Sequence, residues 1–398
     1  MKNVLIWDAR ISIKNSGGPS GYLYQIKRHL ISNTNNQIHF LSDYLSGKEE
    51  TLSKKYKNIS NITKTNKILT IIRKLFSIYR LTHKKFPKQI LKELDLNQFT
   101  HIHFHVSLDY YNARHILKGY NGCIVLTSHS PEPISVEIVN QMFNNKTLYS
   151  YWAEKHIKKA ECWAFKNADK IMFPVPESTE PYCHDEDLKK ILIERQENLI
   201  YCPTAILPYQ IDMTYVKNFK ESMNIPKDAF VISYIGRHNS VKGYDLLKVI
   251  GEKILNTYNN VYFVIAGSKG PIEELNHERW IEIGWTDKAN EIITASDLFI
   301  LPNRETYFDL ITLEVLRSGT PLLMSFTGGN KYFHRMYPNH KGFDFFEIDN
   351  GNLPIEQISK FINYKTTNRI ESLRENNINL WKSDFTLQTY IKNYITVL

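Results

Sequence analysis

The chain has 398 residues, 42% of them hydrophobic and 23% charged, with a formal net charge of +9. These totals describe a soluble globular protein with room for two ordinary domains. They exclude a bilayer-spanning chain, because no apolar run approaches the roughly 20 residues that a spanning helix needs. The opening M-K-N-V-L-I-W-D-A-R is charged too early for a secretory leader and reads as a first core strand. Cys123, Cys162, Cys183 and Cys202 show neither C-x-x-C nor zinc-like spacing and are expected as reduced, structural thiols of a cytosolic protein. The charge is local: residues 51–92 hold twelve Lys or Arg and no Asp or Glu, which leaves 38 basic against 41 acidic residues elsewhere.

In chain order, 4–8 reads as a strand, and Gly17-Gly18-Pro19-Ser20-Gly21 as a tight loop before a helix over 22–30. Gly17 and Gly18 could let the backbone approach a sugar or phosphate, or could form a plain turn. A strand follows at 38–41, a helix-like stretch at 67–92, strands at 100–105 and 123–127, a helix over 150–167 and a strand at 170–174. His103 and His105 alternate with Ile102 and Phe104 on one strand and read as lining a core or a cleft. His129 lies just past a strand end in T-S-H-S-P-E-P. Asp185-Glu186-Asp187 matches D-x-D, but in a charged run with no strand before it, so it reads as a solvated helix start.

The prolines at 203, 208 and 226 mark an irregular boundary, after which the same alternation returns. Strands are expected at 230–235, 261–266, 280–283, 298–301, 321–324 and 344–348, and helices at 244–255, 289–295 and 309–318. Strands alternating with helices argue for parallel, doubly wound α/β sheets in both halves. The domains are placed at 1–205, 206–380 and a closing helix at 381–398, where Trp381, Phe385, Tyr390 and Tyr394 recur at helical spacing.

The richest segment is P-N-R-E-T-Y-F-D-L-I-T-L-E-V-L-R-S-G-T-P-L-L-M-S-F-T-G-G-N-K, residues 302–331. After a strand, Asp309 stands where it can cap a helix, which Gly319 and Pro321 then end. Such a helix directs first-turn N–H groups, here of Leu310 and Ile311, to where α/β sheets bind anions, with Glu314 about one turn in. The segment resembles the nucleotide-sugar signature of retaining GT-B glycosyltransferases of the GT4 type. Glu314 matches the second of the family's two glutamates, Phe308 its aromatic and Ser318-Gly319-Thr320-Pro321 its helix stop. Two positions depart from it. Thr306 stands eight before Glu314, with Glu305 one place early, and Asp309 replaces a glycine. Glu305, Thr306 and Asp309 are the candidates for the first carboxylate's place.

The resemblance implies two Rossmann-like domains facing across a cleft, with the acceptor on the first and a nucleotide sugar on the second. UDP is its commonest nucleotide, and neither metal nor cofactor is needed. Charge building on the leaving β-phosphate then needs fixed cations, which Arg237 and Lys242 in I-G-R-H-N-S-V-K-G can supply. His129 is implied as a donor-sugar contact rather than a base, since in the front-side mechanism proposed for the family the leaving phosphate takes the acceptor's proton. The Gly17-Gly18 loop is implied to lie over the donor. Gly284 and Trp285 would hold the base, and Gly328-Gly329-Asn330 the sugar.

The basic stretch 67–92 interleaves Ile68, Ile71, Ile72, Leu75, Phe76, Tyr79 and Leu81 with Arg73, Lys74, Arg80, Lys84, Lys85 and Lys88. It is either an amphipathic cationic helix lying on an anionic membrane or a core-packed helix with a solvated basic face. An anionic glycan would also suit it, and no nucleic-acid-binding motif is present. The expected activity is transfer of a hexose or N-acetylhexosamine to a growing surface glycan, in the cytoplasm at the inner membrane face. The alternative is a catalytically silent GT-B subunit that binds glycan or steadies a partner transferase. A nicotinamide oxidoreductase would need G-x-G-x-x-G after the first strand, which is lacking.

Overall fold

The computed structural model describes residues 2–9, 13, 18–33, 37–45, 67–83, 86, 94–129, 132–143, 146–348 and 351–398. Two compact units result: Met1–Pro174 with Thr179–Cys202 and Ile391–Leu398, and Val175–Ser178 with Pro203–Tyr390.

The first unit is built on β1 (Val4–Trp7), β2 (Ile38–Phe40), β3 (His101–Phe104), β4 (Cys123–Thr127), β5 (Lys170–Phe173) and β6 (Leu199–Tyr201). They pair in parallel in the order β2-β1-β3-β4-β5-β6. The central strands β1 and β3 are buried at every residue; β1 reads as a continuous apolar run, whereas β3 alternates His101 and His103 with Ile102 and Phe104. β6 is a half-buried three-residue edge strand, too short to show a period in the sequence.

The second unit is built on β7 (Phe230–Ile235), β8 (Val261–Ala266), β9 (Trp280–Gly284), β10 (Leu298–Leu301), β11 (Leu322–Ser325) and β12 (Phe343–Phe346), again all parallel, in the order β12-β11-β10-β7-β8-β9. This is the doubly wound 3-2-1-4-5-6 order, with Tyr234, Tyr244, Leu247, Phe263 and Trp280 in its core. Winding changes direction between β1 and β3 in the first sheet and between β7 and β10 in the second. Ligands of open α/β sheets bind beyond the strand ends at such switch points.

Several elements differ from expectation. The first long helix is Gly18–Asn33, starting four residues early. The basic helix is described over Lys67–His83; residues 84, 85 and 87–92 lie outside the described residues. The closing segment is not one helix. Trp381 lies in the last turn of Ile370–Asp384, and a break at Phe385 precedes Leu387–Val397. Its last eight residues belong to the first unit, where Tyr394 Oη bonds His103 Nδ1 at 2.7 Å and Lys2 Nζ donates to Ile395 O at 2.7 Å.

Candidate functional site

In the second unit, the loops after β7, β8, β9, β10 and β11 share one edge of a parallel sheet. After β7, Tyr234 Oη donates to Arg237 O at 3.0 Å and Lys242 N–H to Asn239 Oδ1 at 2.9 Å, which shapes residues 236–243. Gly243 ends the loop at φ +65°, and a Cβ there would lie 1.8 Å from Pro302 O. Only glycine brings this loop against the end of β10.

Arg237 is exposed, and its guanidinium has no carboxylate partner among the described residues. Lys242 does have one: its Nζ lies 2.8 Å from Asp309 Oδ2, an oxygen that Asn303 Nδ2 also approaches. Asp309 stands at the N-cap of Leu310–Ser318 but caps none of its N–H groups, contrary to the capping role expected for it. The ammonium, a full charge, outcompetes a backbone dipole for the carboxylate. Leu310 and Ile311 begin this helix, half-buried, with no side chain capping it.

Thr306 is fully buried. Its Oγ1 donates to Thr327 O at 3.0 Å and accepts from Asn330 N–H at 3.4 Å, so the hydroxyl is committed to the loop after β11. Gly328 and Gly329 are explained by the same packing, because a Cβ on either would lie 2.1 Å from Thr306 O or Tyr307 O. Here the expectation for 328–330 is corrected in part: Gly329 N–H is spent on Thr306 O at 3.2 Å and Asn330 N–H on Thr327 O at 3.0 Å, so neither is left for a sugar. Glu305 is half-buried with no hydrogen bond among the described residues. Phe308 packs on Tyr332, Phe333 and Phe385.

Glu314 is half-buried one turn into its helix. Burial pushes its carboxyl above the ordinary range, and the Arg317 guanidinium pulls it partly back. Arg317 is itself held by Leu207 O at 2.6 Å and by Asn290 Oδ1. After β9, Gly284 adopts φ +78° and Trp285 is 78% exposed. The sequence reading missed a buried cluster under the β7 loop. His238 stacks on Tyr244 at 3.9 Å, and Glu282 accepts from Tyr244 Oη and, at 2.8 Å, from Trp280 Nε1. His238 sits between Arg237 and Lys242, the one hint the sequence offered.

In the first unit, Gly17 lies outside the described residues and Gly18 is the first residue of its helix. One turn on, the Tyr22 ring lies 4.9 Å from His129, so this helix start and His129 are neighbours. His129 Nε2 is 2.7 Å from His105 Nδ1, and burial pushes the His129 pKa down to about 3. His103 and His105 are core residues whose pKa values burial holds well below the ordinary value. Asp185 is a helix cap, accepting from Asp187 N–H at 3.1 Å and Leu188 N–H at 3.2 Å, and pairs with Lys158 at 2.5 Å.

Helix Lys67–His83 buries Ile78 against Ala153 and Ile157 of Leu148–Asn167. Its other face exposes Leu69, Ile72, Phe76 and Tyr79 beside Arg73 and Arg80. The packed expectation therefore holds on one face, and the other face is not only basic, as expected of a packed helix, but apolar as well. Tyr79 stacks on His83 at 3.8 Å, His83 on His156 at 5.4 Å and His156 on Trp152 at 5.0 Å, joining this surface to the exposed Leu148, Tyr149 and Tyr151. No helix among the described residues is long and apolar enough to cross a membrane.

Residues 229–342 match the family model for glycosyl transferases group 1. The chain is 29% identical over 131 residues to glycogen synthase of Clostridium botulinum, 30% of this chain and 27% of that protein. It is 27% identical over 118 residues to the O-antigen biosynthesis glycosyltransferase WclY of Escherichia coli, 27% of this chain and 32% of that protein. These matches span less than a third of either relative. Among solved structures, the catalytic domain of starch synthase IV from Arabidopsis thaliana, bound to ADP and acarbose, superposes with a TM-score of 0.70 at 12% identity, over 100% of this chain and 98% of that one. HepE from Anabaena in complex with UDP-glucose gives 0.58 at 11% identity, over 100% and 99%. At such identities the likeness is one of fold, the GT-B arrangement of two parallel-sheet units. The chain thus has the GT-B fold along its whole length, and residues 229–342 carry the signature of glycosyl transferases group 1.

Proposed function

We propose that the protein is a retaining, metal-independent transferase that moves a hexose or N-acetylhexosamine from a nucleoside-diphosphate sugar, UDP-linked by preference, to a growing surface glycan. The observation that carries this is the second sheet's switch point, where the 236–243 loop and the Leu310–Ser318 helix are joined through Lys242 and Asp309. Arg237, Lys242 and the N–H groups of Leu310 and Ile311 receive the diphosphate, where charge develops as the bond from the sugar C1 to the phosphate oxygen breaks. Glu314 accepts from ribose hydroxyls, Gly284 and Trp285 hold the base, and Glu305, unlike the committed Thr306, takes the first glutamate's place. His129 and the Gly17-Gly18 loop contact the donor sugar. The acceptor oxygen bonds C1 on the face the phosphate leaves, and the acceptor's proton passes to the departing phosphate oxygen.

The UDP-glucose bound by HepE and the O-antigen role of WclY support the donor and acceptor classes. The aromatic and cationic face of Lys67–His83 supports action at an anionic cytoplasmic membrane surface, where each basic residue contributes about 1 kcal/mol. The pairing of Lys242 with Asp309 favours one second reading, a silent glycan-binding subunit whose clamp is already neutralised.

A thermal-shift panel with UDP, GDP, ADP, CMP and their sugar conjugates tests the donor reading without an acceptor. A ligand at a hundred times its Kd stabilises by about 2.7 kcal/mol. The expected result is a shift with one nucleotide family that Arg237→Ala removes, and loss of sugar transfer in Glu314→Ala and Lys242→Ala with the fold intact. No shift with any nucleotide would overturn the reading in favour of the silent subunit.

A further inference from the structure

His238 follows Arg237 in the loop after β7, and Glu282 stands on β9 just before Gly284. Their side chains are 1% and 11% exposed. Glu282 Oε1 is committed: it accepts from Tyr244 Oη and, at 2.8 Å, from Trp280 Nε1. Glu282 Oε2 faces His238 Nε2 at 3.5 Å, within ion-pair range but long for a hydrogen bond. Neither of these two buried atoms has a hydrogen-bond partner among the described residues. The His238 ring lies flat on Tyr244, 3.9 Å away and 3° from parallel.

This geometry decides where His238 carries a proton. With Nε2 bare, a lone pair would face a carboxylate oxygen in the core, two acceptors with no hydrogen between them. With Nε2 protonated, an N–H points at the carboxylate and offsets its desolvation. Nε2 therefore bears a proton whether the ring is neutral or charged. The same residue ties three loops together. His238 N–H donates to Ser268 O at 3.2 Å, and His238 O accepts from Ile272 N–H at 3.3 Å, both in the loop after β8. Gly267 N–H donates to Gly284 O at 2.8 Å, and a Cβ on Gly267 would lie 1.9 Å from Gly236 O. Arg237 has no carboxylate partner among the described residues to hold its guanidinium, so the backbone anchored at His238 sets where it stands.

We propose that His238 and Glu282 are a buried positioning pair that sets the spacing between the loop that takes the diphosphate and the strand end that takes the base, so that a nucleoside diphosphate binds more tightly than its two halves would together. The spacing role rests on the donor site proposed above. The proton on Nε2 does not. Neither residue touches the ligand: the effect passes through Arg237 on one side and Gly284-Trp285 on the other.

The test uses the full chain with UDP, uridine and inorganic pyrophosphate as probes, their affinities read by titration. His238→Leu keeps apolar packing on Tyr244 and removes the N–H. UDP should then bind about tenfold more weakly, while uridine and pyrophosphate each stay within about twofold. His238→Gln, whose amide Nε2 donates from where the ring nitrogen stood, should recover most of the UDP affinity. Unchanged UDP binding in His238→Leu, equal losses for all three probes, or no recovery in His238→Gln would overturn the inference. Ring-nitrogen NMR of the chain labelled with 15N-histidine judges the proton without any nucleotide, the His238 signals being those that vanish in His238→Gln. The expected wild-type spectrum has Nε2 protonated. In Glu282→Gln, Trp280 Nε1 can only donate, so the amide oxygen stays at Oε1 and the new NH2 faces His238, whose proton should move to Nδ1. A wild-type His238 protonated on Nδ1 alone, or a proton that stays on Nε2 in Glu282→Gln, would overturn the pair even if His238→Leu fails to fold. A wild type that binds no UDP would instead remove the donor reading and the spacing role with it, leaving the spectra to judge the pair.

Discussion

Asp309→Asn isolates one charge at the proposed diphosphate site. The carboxylate lies 2.8 Å from Lys242 Nζ, with the two side chains 18% and 30% exposed. At an effective dielectric of about 20 their bare attraction is roughly 6 kcal/mol, but partial solvation and the ordering of a long side chain leave ion pairs of this exposure a net worth of about 1 kcal/mol. A diphosphate that claims Lys242 must give up or share that pair, so the carboxylate opposes binding by about the same amount. Asparagine keeps the shape and can still accept from Asn303 Nδ2. Asp309→Asn should therefore tighten UDP binding about fivefold, read by isothermal titration at fixed ionic strength. In the same experiment Lys242→Ala should lose more affinity when combined with Asp309→Asn than in the wild type, a coupling that a double-mutant cycle measures. Weaker UDP binding in Asp309→Asn would refute the reasoning: the carboxylate would then be holding Lys242 in place rather than competing with phosphate.

Three further outcomes follow from the geometry. Gly243→Ala combines a left-handed φ of +65° with a Cβ 1.8 Å from Pro302 O, so it should lower stability by more than about 2 kcal/mol in urea melts and weaken nucleotide binding as the 236–243 loop shifts. Glu161 is buried on the Leu148–Asn167 helix and accepts from Ile134 N–H at 2.9 Å and Ser135 N–H at 3.2 Å, yet burial raises its pKa from 4.5 to about 7. The native state then holds this proton more tightly than the unfolded chain, so its contribution is full below about pH 4.5 and is lost as pH rises to about 7, by roughly 3 kcal/mol. Glu161→Gln should flatten that part of the stability profile measured by urea unfolding, and an unchanged slope would assign it to another group. Neutralising Arg73, Lys74, Arg80, Lys84 and Lys85, or replacing Phe76 and Trp152 with serine, should each release the protein from anionic liposomes in a flotation assay; unchanged flotation would leave Lys67–His83 as a packed helix only.

Features governed by neighbours in the chain were legible in the sequence. The Leu310–Ser318 helix ends at Gly319 with φ +79°, where its missing Cβ and the following Pro321 require a stop. The apolar runs that became β7, β8 and β10 were placed nearly to the residue, because strands buried on both faces have no polar alternation to blur their limits. The lysine-glycine entry to Tyr244–Thr257 was visible too, although the carbonyl that makes Gly243 obligatory belongs to Pro302.

What tertiary structure decided is which distant side chains meet. Asp309 is 67 residues from Lys242, and charge attraction across the switch point drew it from the cap expected for it. Tyr394 reaches His103 across 291 residues, and the order β1-β3-β4 sets His105 against His129. Turn chemistry and hydrophobic period are written within one or two turns of chain, whereas strand order emerges only when each sheet buries both faces. The pairing of His105 with His129 and the partner of Lys242 therefore depend on packing that no local pattern encodes.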